Sequence, residues 1–243
     1  MFNRSSTSRL TPALLATAAL AAASTAFAAA PERTESGNTL QVASEHAARG
    51  IVYHVHAGKD AQATFTSDAP LEHIKGTSNR LVGYATWDPS TTKLVAGEFL
   101  LPVASLDTGI PMRDEHLQGS RWLDAEAHPD LHFSVSDSKN VTKGKSTDAF
   151  TTYELTLVGD MTIKGVTKTI EVPARITLMP ESDATRSRFP GDLMAIRATY
   201  DIVLADFGVT DQVIQMGKVA DVVTIENVLF MSTVSPDDAR RNR

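Results

Sequence analysis

The run Leu155-Thr156-Leu157-Val158-Gly159-Asp160-Met161-Thr162-Ile163, the pair Lys164-Gly165, and the run from Val166 to Leu178 decide the fold class of this 243-residue chain. In the first run, Leu155, Leu157, Gly159, Met161 and Ile163 alternate with Thr156, Val158, Asp160 and Thr162. In the second, Ile170, Val172, Ala174, Ile176 and Leu178 alternate with Glu171, Pro173, Arg175 and Thr177. Successive side chains of a strand point to opposite faces, so a two-residue period marks a strand with one buried face. Lys164-Gly165 supplies the turn between the two. Pro173 has no amide to donate, which places it at an edge or a bulge.

The same pattern extends in both directions. Ile51, Tyr53 and Val55 alternate with Val52, His54 and His56, and Leu131, Phe133 and Val135 with His132, Ser134 and Ser136. Ile196, Ala198, Tyr200, Ile202 and Leu204 repeat it near the end. From Asp221 to Met231 both faces are apolar, which suits a strand covered on each side or one that closes a sheet. Pro111 to Pro129 breaks the alternation and reads as one or two short helices on a rim, stopped by Pro129. Ser136 to Ala149 is polar and reads as a hairpin loop. The whole predicts one all-β domain over residues 50–232, a closed barrel or a sandwich. Residues 29–49 are expected to be a flexible leader and 233–243 a disordered tail.

The first residues read as an address. Arg4 and Arg9 precede an uncharged, Ala- and Leu-rich run from Leu10 to Ala30, and Ala26-Phe27-Ala28 offers a small-x-small cleavage site. This is the form of a cleaved secretory signal, residues 1–28, and it points to the periplasm, with secretion beyond it open. No later stretch approaches a membrane span, so no stable membrane insertion is expected. Removing residues 1–28 takes away two arginines and no acid, moving the net charge from −6 to −8. An acidic chain with 6% aromatic residues is a poor nucleic-acid binder. The absence of cysteine excludes a disulfide scaffold, a thiolate metal site, covalent haem and a cysteine nucleophile.

Three further stretches carry a family likeness. The first is Val103-Ala104-Ser105-Leu106-Asp107-Thr108-Gly109 with Arg113-Asp114-Glu115-His116-Leu117, followed by Trp122-Leu123-Asp124 and His128-Pro129-Asp130-Leu131-His132-Phe133. The second runs from Gly159 through Lys164-Gly165 to Lys168, with Ile170-Glu171-Val172-Pro173 after it. The third is Asp206-Phe207-Gly208-Val209. In this order they resemble the YceI-like family of exported lipid-binding proteins, in a divergent branch. That branch has Thr64-Phe65-Thr66-Ser67-Asp68 where many members open with Asp-x-x-His-Ser. It also has Leu204 where many carry an arginine. The resemblance implies a lipocalin-like antiparallel barrel of about eight strands, with one or two short helices near the mouth. It also implies an apolar lumen that takes a polyisoprenoid or a similar amphiphile, quinone-like or fatty-acid-like, and no enzymatic reaction.

On that footing the lumen residues are expected among Phe99, Leu155, Leu157, Met161, Ile163, Tyr200 and Ile202. By periodicity alone they line a lumen or fill it, and a filled barrel would make the chain a stress-response or protein-interaction module instead. Arg113, Asp114 and His116 form the densest polar cluster. At a mouth, the guanidinium of Arg113 suits a carbonyl, carboxylate or phosphate. The plainer alternative has Arg113 and Asp114 tying the rim helix to the strand ends. His54 and His56 share one strand face and, with His116, His128, His132 and Asp114 or Asp130, offer ligands for a metal, but solvated or hydrogen-bonded histidines are the favoured reading because no HExxH or comparable constellation occurs; no metal or cofactor is expected apart from a bound lipid. No GxSxG, GxGxxG or Walker loop occurs, Ser105 reads as a turn hydroxyl, and adjacent Asp114 and Glu115 point apart, so no catalytic residue is assigned. A homodimer stays open.

Overall fold

The computed structural model describes residues 31–241, so the expected signal segment, residues 1–28, lies outside them. In chain order the elements are α1 (Ser44–Ala47), β1 (Ile51–Val55), β2 (Ala63–Asp68), β3 (His73–Ser78), β4 (Val82–Asp88) and β5 (Lys93–Pro102). Then follow α2 (Pro111–Gln118), β6 (Asp130–Ser146), β7 (Thr151–Ile163), β8 (Val166–Met179) and α3 (Asp183–Arg186). The chain ends with β9 (Leu193–Val203), α4 (Gln212–Gln215), β10 (Val222–Ser232) and α5 (Pro236–Arg241).

The strands β7 and β8 form the hairpin that the alternation predicts, with Leu157 opposite Val172 and Ile163 opposite Val166. Lys164 and Gly165 both take positive φ, 50° and 73°, the backbone of a two-residue type I′ turn. A Cβ on Gly165 would also stand 2.5 Å from the His128 ring, so glycine is required there on two counts. Pairing continues around the ring in the order β1-β4-β5-β6-β7-β8-β9-β10 and closes with β1 against β10. The expected closed antiparallel barrel of eight strands is present.

Two more strands join it. β1 takes only Met231 and Ser232 of β10, while β2 takes Thr224 to Asn227 lower on the same edge. β3 pairs with β2, and Thr77 of β3 exchanges backbone hydrogen bonds of 2.8 and 2.9 Å with Asp107. The wall at the end where β10 begins therefore contains an extra hairpin. On the far side, β8 pairs with β9 only from Ala174 onward. Pro173 stands where that ladder stops, the edge position its missing amide demands.

The deep end, where β1 and β10 finish, is solid. Tyr53, Val55, Leu94, Tyr153, Leu155, Ile176, Met194 and Met231 are buried there. The rings of Trp87 and Tyr153 meet at 5.0 Å between centroids, tilted by 47°. Tilted contact of this kind is the favoured aromatic geometry.

Three sequence expectations change. Residues 33–47 are not a loose leader. Leu40 is only 2% exposed and packs with Val82, Tyr84 and Leu100 on the outside of the barrel. β4 and β5 carry apolar side chains on both faces, and the leader covers the outer one. Arg33 reaches Asp130 at 2.5 Å, and Tyr84 hydrogen-bonds His46 Nδ1 at 2.9 Å. The tail is likewise ordered as α5, where Asp237 accepts hydrogen bonds from Thr34 and Ser36 of the leader. Third, Ser136 to Ser146 is strand rather than loop, paired with β7 across three irregularities of register. Its residues are mostly polar and exposed, with Ser138 and Val141 the inward exceptions, so it has little apolar alternation to reveal it. Of the one or two rim helices expected in Pro111 to Pro129, one α-helix forms, and turns occupy the rest.

Candidate functional site

The mouth half of the barrel encloses a cavity of about 890 Å³. Its walls come from the inward-facing residues of alternating strands. β7 contributes Leu157, Met161 and Ile163, β9 contributes Ile196, Ala198, Tyr200 and Ile202, and β10 contributes Val223, Ile225 and Leu229. Phe99 and Leu101 of β5 stand beside Leu131 and Phe133 of β6. A Cβ on Gly159 of β7 would collide with Ser134 and with the Phe133 ring, so this glycine lets Phe133 lie flat against the wall. The added hairpin contributes Phe65 and Ile74.

A lid crosses the mouth, and the 103–117 motif builds it. Asp107 holds the loop to β3 through its backbone, and its Oδ1 accepts the Gly109 amide at 2.7 Å. Gly109 takes a positive φ of 75°, which turns the chain into α2. Pro111 starts the helix, where its missing amide costs nothing. The backbone N–H and the hydroxyl of Thr108 donate to Asp114 Oδ1 at 2.9 and 2.6 Å, locking the helix to its own entry loop. Ile110, Met112 and Leu117 of this lid, with Trp122 and Leu123 after it, cover the cavity. From the opposite side Val209 of the 206–209 motif lines it, behind a turn closed by Gly208 at φ 72°. All three motifs thus meet at one end of the barrel.

The predicted residues fall as follows. Phe99, Leu157, Met161, Ile163, Tyr200 and Ile202 line the cavity. Leu155 does not: it lies one layer deeper, opposite Ala174, inside the packed end. Among the polar cluster, Arg113 and His116 face the mouth, while Asp114 is outside the lining and serves the Thr108 turn. Arg113 meets Glu72 of the β2–β3 turn at 3.5 Å, so it ties the lid to the added hairpin. The charged lining residues, Glu72, Arg113, Glu115, Arg121, Asp211 and Lys218, belong to the lid and to the loops at the mouth.

Sequence reasoning missed three parts of the wall. Val223, Ile225 and Leu229 are one alternate set of the closing strand, so a signal was there. Phe65 and Ile74 sit in short, polar strands that reveal little. Trp122 and Leu123 follow the lid helix without periodicity.

Chemically the cavity is an apolar chamber with a polar rim. Burial pushes the Tyr200 phenol well above its ordinary pKa, so it remains an O–H donor and, with Asn227, one of the few polar groups in a mainly apolar wall. The histidines do not converge. His132 pairs with Glu98 at 2.6 Å, and His56 Nε2 donates to the Val234 carbonyl at 2.8 Å. Among the described residues, no three histidine or acidic side chains come together as a metal would require. Ser105 is a turn hydroxyl, donating to Pro102 at 2.6 Å. Among the described residues no helix is long and apolar enough to cross a membrane.

Comparison with known proteins follows this geometry. Proteins named UPF0312 from Pseudomonas putida are 28% identical over 156 residues, covering 62% of this chain and 73% of theirs. The structure of BcnA from Burkholderia cenocepacia superposes with a TM-score of 0.55 at 22% identity, over 72% of this chain and 98% of that one. A Campylobacter jejuni YCEI protein does so at 0.50 and 20%, over 65% of this chain and 84% of its own. A polyisoprenoid binding domain from Saccharophagus degradans gives 0.50 at 12%, over 75% and 98%. The YceI-like domain model matches residues 53–229, from the first barrel strand to the last, and the chain belongs to the YceI-like family.

Proposed function

We propose that this protein is a carrier or scavenger of a polyisoprenoid or a similar amphiphilic lipid, held tail inward in the barrel with its polar head at the mouth. One observation carries the reading: an apolar chamber closed at one end by packed side chains and charged only at the other. Burying a hydrocarbon tail there yields about 25 cal/mol per Å² removed from water, so high affinity needs few hydrogen bonds. Arg113 and His116 at the rim, and Tyr200 within, are the groups that would meet a headgroup. The same fold in a domain described as polyisoprenoid binding supports the reading. The polar groups do not form a nucleophile–base pair, which favours binding over catalysis. The signal-like residues 1–28 favour export to the periplasm, where a lipid in transit needs such a shelter. The alternative of a filled barrel acting as an interaction module has the packed deep half on its side, but not the open mouth half.

The test is native mass spectrometry of protein purified from its own cell envelope, with organic extraction of what accompanies it. An isoprenoid or fatty-acyl mass is the expected result. A lipid-stripped protein whose Trp122 fluorescence responds to no isoprenoid quinone or fatty acid would overturn the reading.

A further inference from the structure

The barrel is only half hollow. On β7 the lining runs from Ile163 to Leu157 and then stops, with Leu155 packed. On β9 it runs from Ile202 to Ile196, with Met194 packed, and on β10 from Val223 to Leu229, with Met231 packed. On β9 and β10 the lining stops at one level, because Leu229 is opposite Ile196 and Met231 is opposite Met194. On β7 it stops earlier, since Leu155 shares a row with Ala174 and Ala198, so the bottom of the chamber slopes across the sheet. β1 and β4 contribute nothing to the lining. Their inward residues, Tyr53, Val55, Ala85 and Trp87, belong to the packed half.

The dimensions follow. Each of those three stretches covers six residue steps. At about 3.3 Å per residue and a strand tilt of about 40°, the chamber is about 15 Å deep. An extended chain advances about 1.2 Å per bond, so about twelve carbons reach from mouth to floor. The volume of 890 Å³ is much larger than one such chain needs. At about 30 Å³ per heavy atom it accommodates about thirty carbons, roughly two chains side by side.

We infer that the packed side chains of Leu155, Ile176, Met194 and Met231 together form a sloping floor that sets ligand size. The chamber is short and wide, and it takes a folded or two-tailed lipid of up to about thirty tail carbons rather than one long extended chain. This inference rests on the lipid-carrier reading above. A tail of about forty carbons would leave about ten of them outside the chamber, where they gain little.

The experiment is isothermal titration calorimetry of lipid-stripped full-length mature protein with isoprenoid quinones of one headgroup. Their tails would hold about 10, 20, 30 and 40 carbons, since affinity follows the apolar area buried. The expected Kd falls up to about thirty carbons, after which the last two ligands bind within about threefold of each other. Ala198→Trp projects into the chamber two inward positions above Met194 on β9, and it moves the plateau to shorter tails. Leu155→Ala opens the floor and moves it to longer ones. Melting curves confirm that both variants fold, and the first fills open space, so it does not depend on repacking. A Kd that keeps falling more than about tenfold from thirty to forty carbons overturns the floor and leaves the carrier reading intact. Unmoved plateaus in both folded variants overturn the floor as well. Failure of every ligand to bind removes the carrier reading, and the size limit with it.

Discussion

Leu157→Asp places a carboxyl at the last lining position of β7 in the chamber. Leu157 is 4% exposed, opposite Val172 on β8. Truncating such a leucine costs about 3 kcal/mol in lost burial and enlarged void. The carboxyl adds a second, pH-dependent cost. In an apolar wall its pKa rises above the ordinary value near 3.9, by up to about 3 units, and each unit is worth about 1.4 kcal/mol. A raised folded pKa means that the native state holds the proton more tightly than the unfolded chain does. This contribution is therefore fully favourable below about pH 4 and is lost as pH rises through the folded value. At pH 7 the variant should be about 6 kcal/mol less stable than wild type, comparable with the whole stability of many domains. The control is Leu157→Asn, which has the same shape and no titration. Urea unfolding, followed through the buried Trp87, would be run on both variants at about pH 4.5 and pH 7.5. The gap between their midpoints should be small at the lower pH and widen at the higher one. Equal midpoints at both pH values would mean that position 157 is wet and that the inward face has been assigned wrongly.

Other expectations concern parts away from the cavity. Leu40→Ala should cost about 2–4 kcal/mol in urea unfolding, because Leu40 is 2% exposed under the leader. A loss under about 0.5 kcal/mol would return residues 33–47 to a loose segment. Burial lowers the His54 and His56 pKa values, for His54 with the help of the neighbouring His56 charge. The folded state thus binds these protons less readily than the unfolded chain. Stability is complete above about pH 6.5 and falls as pH drops toward the folded values. Tm at pH 5 should lie below Tm at pH 7.5, and His54→Gln combined with His56→Gln should flatten the profile. A wild-type Tm that is level over this range would refute the assignment. Glu98→Ala removes the acceptor shared by His132 at 2.6 Å and Ser134 at 2.8 Å. Thermal unfolding should register a loss of about 1–3 kcal/mol, and an unchanged Tm would show that water replaces the carboxylate freely.

The barrel was legible because burial and exposure alternate along its strands. Leu157 and Met161 announce an inward face, with Thr156 and Asp160 facing out. Pro173 marked the end of a ladder through the one hydrogen bond it cannot make. What stayed hidden lacks such a contrast. Leu40 is the one fully buried apolar anchor of the leader, joined by scattered polar ties, and one leucine in a polar stretch has no period. The outer part of β6 is mostly polar and exposed, and Val141 alone packs inward there among lysines, threonine and asparagine. Leu155 and Leu157 share one alternate set, so periodicity cannot separate floor from chamber; that depends on which side chains fill the ring at each level. Asp114 shows the same limit for polar residues. Its position beside Arg113 suggested a joint role at the mouth, yet a threonine six residues earlier claims its carboxylate.

The seam that closes the ring joins His54 to Ser232 and Val55 to Met231, so the second strand edge arrives at the very end of the domain. Synthesis runs from the N-terminus, and until β10 exists both β1 and β9 lack their partner along that seam. Contacts so distant in sequence form slowly, since the chain must close a large loop before any gain is realised. Folding of this barrel is therefore gated by its last strand, and a chain cut before residue 222 would be left with two open edges, prone to aggregation. Under the export proposed above, the same delay is an advantage, because a polypeptide that cannot seal itself early stays threadable until its synthesis is complete.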